Sequence, residues 1–279
     1  MVEGPTEHRV HAAGVALAAG EVGSGPPVVL LHGLTATRRY VVMGSRVLER
    51  GGYRVIAYDA RGHGRSTPAP DPRAYGYEHL AADLETVMDD LGVERAVLAG
   101  ASMGAHTVLR FALDSPERVA ALALITPAYA SSRHDNPTAL AHWDRLSTGL
   151  RDGGVEGFVA AYPAAELPAA WRETLLTVLR QRLSAHEHPA AVADALRFVP
   201  RSRPFATTAD LKRIDARTVV VGDRDEADPA HPLAVACAYA QAIPRARLVL
   251  EEPGRSPIAW QGGQLSRVLL DLAGEARWP

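Results

Sequence analysis

A serine stands between two glycines in Gly100-Ala101-Ser102-Met103-Gly104, directly after the apolar run Ala96 to Ala99 and before a helical pattern. A chain that turns sharply from strand to helix presents its turn residue above the sheet in strained backbone, and flanking glycines relieve the crowding. The hydroxyl then lies at a helix N-terminus, whose dipole favours developing negative charge. That is the placement a catalytic nucleophile needs. A second turn, His32-Gly33-Leu34, follows the apolar run Val28 to Leu31. The backbone N–H groups of Leu34 and Met103 are the expected oxyanion donors. His32 borders this turn, either bonding the loop or facing a substrate.

These turns require strands to end on them and helices to follow. Val28 to Leu31, Tyr53 to Tyr58, Ala96 to Ala99 and Val119 to Ile125 read as strands, with further ones at Thr218 to Val221 and Ala246 to Leu250. Between Tyr77 and Leu91 the apolar residues Leu80, Leu84, Val87 and Leu91 recur at helical spacing, and Gly92 supplies a stop. Further helices are expected at Met103 to Leu113 and Leu265 to Leu272. Strands alternating with helices predict an α/β fold, a mostly parallel central sheet with helices on both faces. Residues 128–206 show helical periodicity alone, on faces such as Leu140, Trp143, Leu146 and Leu150. They predict a helical lid inserted between two core segments, 1–127 and 207–279.

A third motif, Asp59-Ala60-Arg61-Gly62-His63-Gly64-Arg65-Ser66, follows the second of these strands. With the His32-Gly33 turn, this loop and the serine elbow in that order, the chain resembles the α/β-hydrolase superfamily from about residue 8 to 273. The resemblance implies the α/β-hydrolase fold, a serine nucleophile and no cofactor. It makes the Asp59 loop, with His63, a site-shaping element. It also implies a catalytic acid in a G-x-x-D pattern, which falls on Asp225 after Gly222; Asp223 and Asp228 read as turn formers or helix caps.

The base breaks the resemblance. Family members carry a Gly-His pair after the last strand, and here the turn reads Glu252-Pro253-Gly254-Arg255-Ser256-Pro257. Arg255 occupies the histidine's place, and no histidine follows His231. Arginine has no lone pair to accept a proton and stays charged. It can pair with Asp225, or direct a positive charge at a substrate carboxylate, phenolate or enolate. His231 lies six residues beyond Asp225 between Pro229 and Pro232, and reads as part of a helix start bordering the pocket. His106 is expected to pack on the sheet, and His186 and His188 do not share a helix face, so no metal site is expected.

Trp143, Phe158, Tyr162, Trp171 and Phe198 give the insert an aromatic content that either packs its own core or faces an apolar ligand. A net charge of -2 argues against a nucleic-acid partner. Met1 to Val10 lacks the apolar stretch of a signal peptide, and no apolar run approaches a membrane span of about 20 residues. With a single cysteine, Cys237, a reducing cytoplasmic setting is expected. The reading favoured by a missing base is an enzyme of non-hydrolytic chemistry on an apolar carbonyl metabolite, with Ser102, Asp225 and Arg255 as its catalytic groups. A serine hydrolase of esters, thioesters or lactones with a displaced base is the alternative, and an inactive binding protein the third.

Overall fold

The computed structural model describes residues 4–224, 228, 230–252 and 262–278. Eight strands form one sheet: β1 (Thr6–Ala12), β2 (Val15–Val22), β3 (Pro27–Leu31), β4 (Arg54–Tyr58), β5 (Ala96–Ala101), β6 (Val119–Ile125), β7 (Arg217–Gly222) and β8 (Ala246–Leu250). Their spatial order is β1-β2-β4-β3-β5-β6-β7-β8. From β4 to β8 every neighbouring pair is parallel, and β1 and β2 add an antiparallel edge.

That edge hairpin is absent from the sequence reading. Its two-residue turn places both Ala13 and Gly14 at positive φ, the geometry that matches strand twist. Ala-Gly is a weak turn signal, and the His-, Ala- and Glu-containing flanks lack the β-branched runs that mark strands.

The inner parallel strands β3, β5, β6 and β7 are buried on both faces and therefore read as continuous apolar runs. Their side chains alternate between two cores. On β5, Ala96 and Leu98 join one core, which also holds Leu84, Val108 and Tyr239; Val97 and Ala99 join the other, with Leu48, Leu265 and Leu269. Helices α1 (Val47–Arg50), α2 (Tyr77–Asp90) and α3 (Met103–Asp114) come from the first half of the chain.

Between β6 and β7 lie α4 (Pro137–Ala161), α5 (Arg172–Leu183) and α6 (Pro189–Phe198). The side chain of Asn136 accepts from the N–H groups of Thr138 and Ala139, capping α4. Gly154 takes φ 59° and breaks α4, so that Gly149 and Gly157 meet: a Cβ on Gly149 would lie 2.5 Å from the Gly157 oxygen. This helical segment shares a third core with the loops at the strand C-terminal ends. Leu146, Leu150, Phe158 and Leu196 pack there with Leu34, Tyr75 and Met103. Helices α7 (Leu233–Ala242) and α8 (Gly263–Gly274) complete the fold. Among the described residues, no helix is long and apolar enough to cross a membrane.

Candidate functional site

Ser102 terminates β5 and opens α3 with φ 50° and ψ −109°. A non-glycine residue rarely holds a positive φ, and the surrounding backbone here determines it. The Ser102 N–H donates to the Ile125 carbonyl at 2.9 Å, tying the turn to the end of β6. Both flanking glycines are steric necessities. A Cβ on Gly100 would lie 2.2 Å from the Gly104 carbonyl, and one on Gly104 would lie 2.4 Å from the Leu31 oxygen. The spacing of the motif is thus the spacing of two backbone crossings.

The His32-Gly33-Leu34 turn runs beside the serine, since a Cβ on Gly33 would stand 3.5 Å from Ser102 Cβ. The Gly33 carbonyl accepts from the Ala36 N–H at 3.0 Å and faces His32 Nδ1 at 2.8 Å. In a trans peptide the N–H of Leu34 points opposite to that carbonyl, so these two bonds set its direction. His63 Nε2 lies 2.8 Å from the Leu34 oxygen, and His186 Nε2 lies 3.2 Å from the Thr35 oxygen. Met103 is the first residue of α3, where helix N–H groups have no intrahelical partner.

His32 is corrected as a substrate-facing residue. Its Nε2 accepts from the Ala60 N–H at 2.9 Å while its Nδ1 serves Gly33, so both ring nitrogens are committed and the ring is buried. Burial, followed by the neighbouring His63, holds its pKa well below the usual value, which keeps the ring neutral. His106 has a comparable role on the other side of the elbow. It meets the Tyr77 hydroxyl at 3.1 Å and accepts from the Ala128 and Tyr129 N–H groups, and burial pushes its pKa down to about 3. The Asp59 loop is held by a buried pair, Arg61 Nε to Asp83 Oδ2 at 2.7 Å and Nη2 to Oδ1 at 2.6 Å.

The largest departure from the sequence reading concerns His231. Its Nε2 lies 2.8 Å from Ser102 Oγ, and its Nδ1 lies 2.7 Å from Asp228 Oδ2. A neutral ring satisfies both contacts when Nδ1–H donates to the carboxylate and Nε2 accepts from the serine hydroxyl. The missing base that Arg255 implied is therefore corrected in favour of the displaced base kept as the alternative. Asp228 does form a turn and His231 does stand just before α7, and their side chains in addition link to Ser102. The physical reason is a turn in the loop after β7. The His231 N–H donates to the Asp228 carbonyl at 3.1 Å, which brings these side chains together three residues apart, just before α7. At the loop's start, the Arg224 N–H donates to Glu251 Oε1 at 2.8 Å and Arg224 Nε to the Glu251 carbonyl at 3.1 Å, anchoring it to the end of β8. Asp225 and Arg255 lie outside the described residues.

Electrostatics separate the groups of this loop. Burial works against a charged His231, but the charge and hydrogen bond of Asp228, with the charge of Asp223, outweigh it and raise its pKa. Burial also opposes ionisation of Asp228, yet His231 first, then Arg182, hold its carboxyl below the usual range. Asp223 is different: burial, then Asp228 and Glu251, push it from 3.8 up to about 8, and its Oδ1 lacks a hydrogen-bond partner among the described residues.

Because the folded state holds that proton and the unfolded chain releases it near 3.8, Asp223 costs stability increasingly as pH rises through this window to about 8. Asp223→Asn is expected to raise the melting temperature by about 3 °C or more at about pH 9 and by much less at about pH 5. Thermal unfolding at both pH values checks this; an equal difference at both would refute the charge assignment.

The aromatics of residues 128–206 divide. Phe158 is 1% exposed within the third core, so its ring is spent on packing, which corrects it as a substrate contact. Trp143 is partly buried against the same core, and Trp171 precedes α5 outside all three cores. A residue missed in sequence is Arg182 on α5. Its charge acts on Asp228, Tyr40 and Tyr162, and its Cζ lies 5.6 Å from the Tyr40 ring centre. Arg182 lies four residues beyond Val178 and seven beyond Leu175, a cation on the inward face of an amphipathic helix.

The family model for the alpha/beta hydrolase fold matches residues 26–261. A protein of Pseudomonas savastanoi pv. phaseolicola named as a carbamate hydrolase, RutD, is 32% identical over 234 residues, covering 82% of this chain and 86% of its own. A Synechocystis protein named as a non-heme chloroperoxidase is 30% identical over 266 residues, covering 90% and 92%. Among solved structures, a thermophilic esterase from Thermogutta terrifontis with malate bound superimposes with a TM-score of 0.78 at 25% identity, covering 98% of this chain and 99% of its own.

Proposed function

We propose that this chain, which belongs to the α/β-hydrolase family, is a serine hydrolase of carboxylic esters or related acyl compounds, with its base moved to the loop after β7. The observation that carries this reading is the continuous contact Asp228–His231–Ser102, at 2.7 and 2.8 Å. The names of the relatives, a carbamate hydrolase and an esterase among them, support hydrolysis over the non-hydrolytic chemistry that a missing base would favour.

In this mechanism Ser102 Oγ attacks the acyl carbon as His231 Nε2 takes its proton. Asp228 holds the ring in the required tautomer and stabilises the imidazolium that forms. The carbonyl oxygen, now negative, is received by the N–H groups of Leu34 and Met103. His231 returns the proton to the leaving group as the acyl bond breaks. Water, deprotonated by the same ring, then releases the acid and regenerates the serine hydroxyl. No cofactor enters these steps.

A fluorophosphonate probe tests the reading. Labelling is expected to map to Ser102 by peptide mass spectrometry and to accompany turnover of p-nitrophenyl butyrate. Neither labelling nor turnover by the folded protein would overturn it.

A further inference from the structure

The acyl-transfer reading leaves one charged group near the triad unused, the guanidinium of Arg182. Its Nε is sealed from solvent and has no hydrogen-bond partner among the described residues. No ion pair to it occurs among the described residues, although its charge reaches Asp228 and His231. Burial therefore opposes its charged form, and the attractions of Asp228, Tyr40 and Tyr162 do not fully offset this. In this partly buried side chain, a sealed donor without a partner is costly.

Its position explains what would meet that charge. Arg182 projects from α5 of the insert toward the 3-10 turn at Arg38–Tyr40, where the Tyr40 ring backs the guanidinium. Tyr162, at the end of α4, is near enough that the charges of Asp228 and Arg182 both act on its hydroxyl. Arginine matches a carboxylate through two parallel N–H donors, a fit that neither a phenol nor a distant aspartate supplies.

We infer that Arg182, with Tyr162 beside it, forms an anion subsite next to Ser102 and His231, and that the substrate is an ester or lactone carrying a free carboxylate. The subsite deepens the acyl-transfer reading and presupposes it for the choice of substrate. It makes the substrate amphipathic rather than purely apolar.

The test compares mono-p-nitrophenyl glutarate with p-nitrophenyl butyrate in the parent, Arg182→Gln and Arg182→Lys proteins. Arg182→Gln is expected to lower the ratio of kcat/KM for the charged ester to that for the neutral one by about 10–100-fold, chiefly through KM. Arg182→Lys is expected to restore part of it, as a point charge without the paired donors. If Arg182 serves only to tune Asp228 and His231, both esters lose alike and the ratio holds, which overturns the subsite. Glutarate binding to the Ser102→Ala protein, followed by calorimetry, separates the two readings. Binding that Arg182→Gln abolishes supports the subsite even where ester turnover is absent. Equal glutarate affinity with and without Arg182, or no binding to either protein, overturns it.

Discussion

Replacing His231 with alanine is expected to lower kcat/KM for a p-nitrophenyl ester by about 10⁴–10⁶-fold, the scale seen when a triad histidine is lost. The reason lies in the two contacts of its ring. With Nδ1–H donating to Asp228, Nε2 can accept the hydroxyl proton of Ser102 Oγ, 2.8 Å away, and a serine without such an acceptor is a weak nucleophile. What remains should come from the Leu34 and Met103 donors and from binding. Fluorophosphonate labelling of Ser102 should slow in parallel, since that reaction needs the same proton transfer.

A control separates chemistry from folding. His106→Ala removes the acceptor of the Ala128 and Tyr129 N–H groups and should lower the melting temperature. His231→Ala, at a partly exposed site, should melt close to the parent. Activity of His231→Ala within about tenfold of the parent would refute its assignment as base.

The second large effect is expected at Asp228→Asn, a fall in kcat of about 10²–10⁴-fold. Asparagine keeps the shape of the partner but loses the charge that stabilises the imidazolium, and it permits the unproductive tautomer. The pH profile supplies a readout that simple damage would not reproduce. His231 must be neutral to accept the serine proton, so activity is present above its pKa and lost as pH falls through it. Burial lowers that pKa, and the charge and hydrogen bond of Asp228 are the largest causes that reverse the effect, so the acid limb of the parent should have its midpoint above 6.5. In Asp228→Asn the burial contribution persists while the largest opposing one is gone, and the midpoint should move to lower pH. An unmoved midpoint in a folded variant would exclude Asp228 as the partner of His231.

These expectations invert the sequence reading of the same loop. The family pattern pointed to Asp225 for the acid and to the turn after the last strand for the base, where Arg255 stands. Pattern matching counts residues from strand ends, and it has no access to which way a loop folds. In Asp223-Arg224-Asp225-Glu226-Ala227-Asp228 any of three aspartates satisfies the composition of the site. Only the turn from Asp228 to His231 selects one, and that turn faces Ser102 because β7 lies next to β6, whose end the serine turn touches. Arg182 shows the same gap. Its helical phase is visible in the sequence, but the effect of its charge on His231 depends on how α5 packs against the rest of the fold.

The chain by itself determined the elements whose cause is local. The serine elbow follows from Gly100 and Gly104, each forced by a backbone crossing under 2.5 Å from a would-be Cβ. The inner parallel strands follow from apolar runs buried on both faces, and α2, α3 and α8 from their helical spacing. The β1–β2 hairpin escaped because β2 is held by pairing to β4, and β1 by pairing to β2, rather than by their own composition. Tertiary structure alone decided which histidine stands beside the elbow serine. A histidine 129 positions away in sequence meets the serine at 2.8 Å, and that meeting is a property of strand order, not of motif.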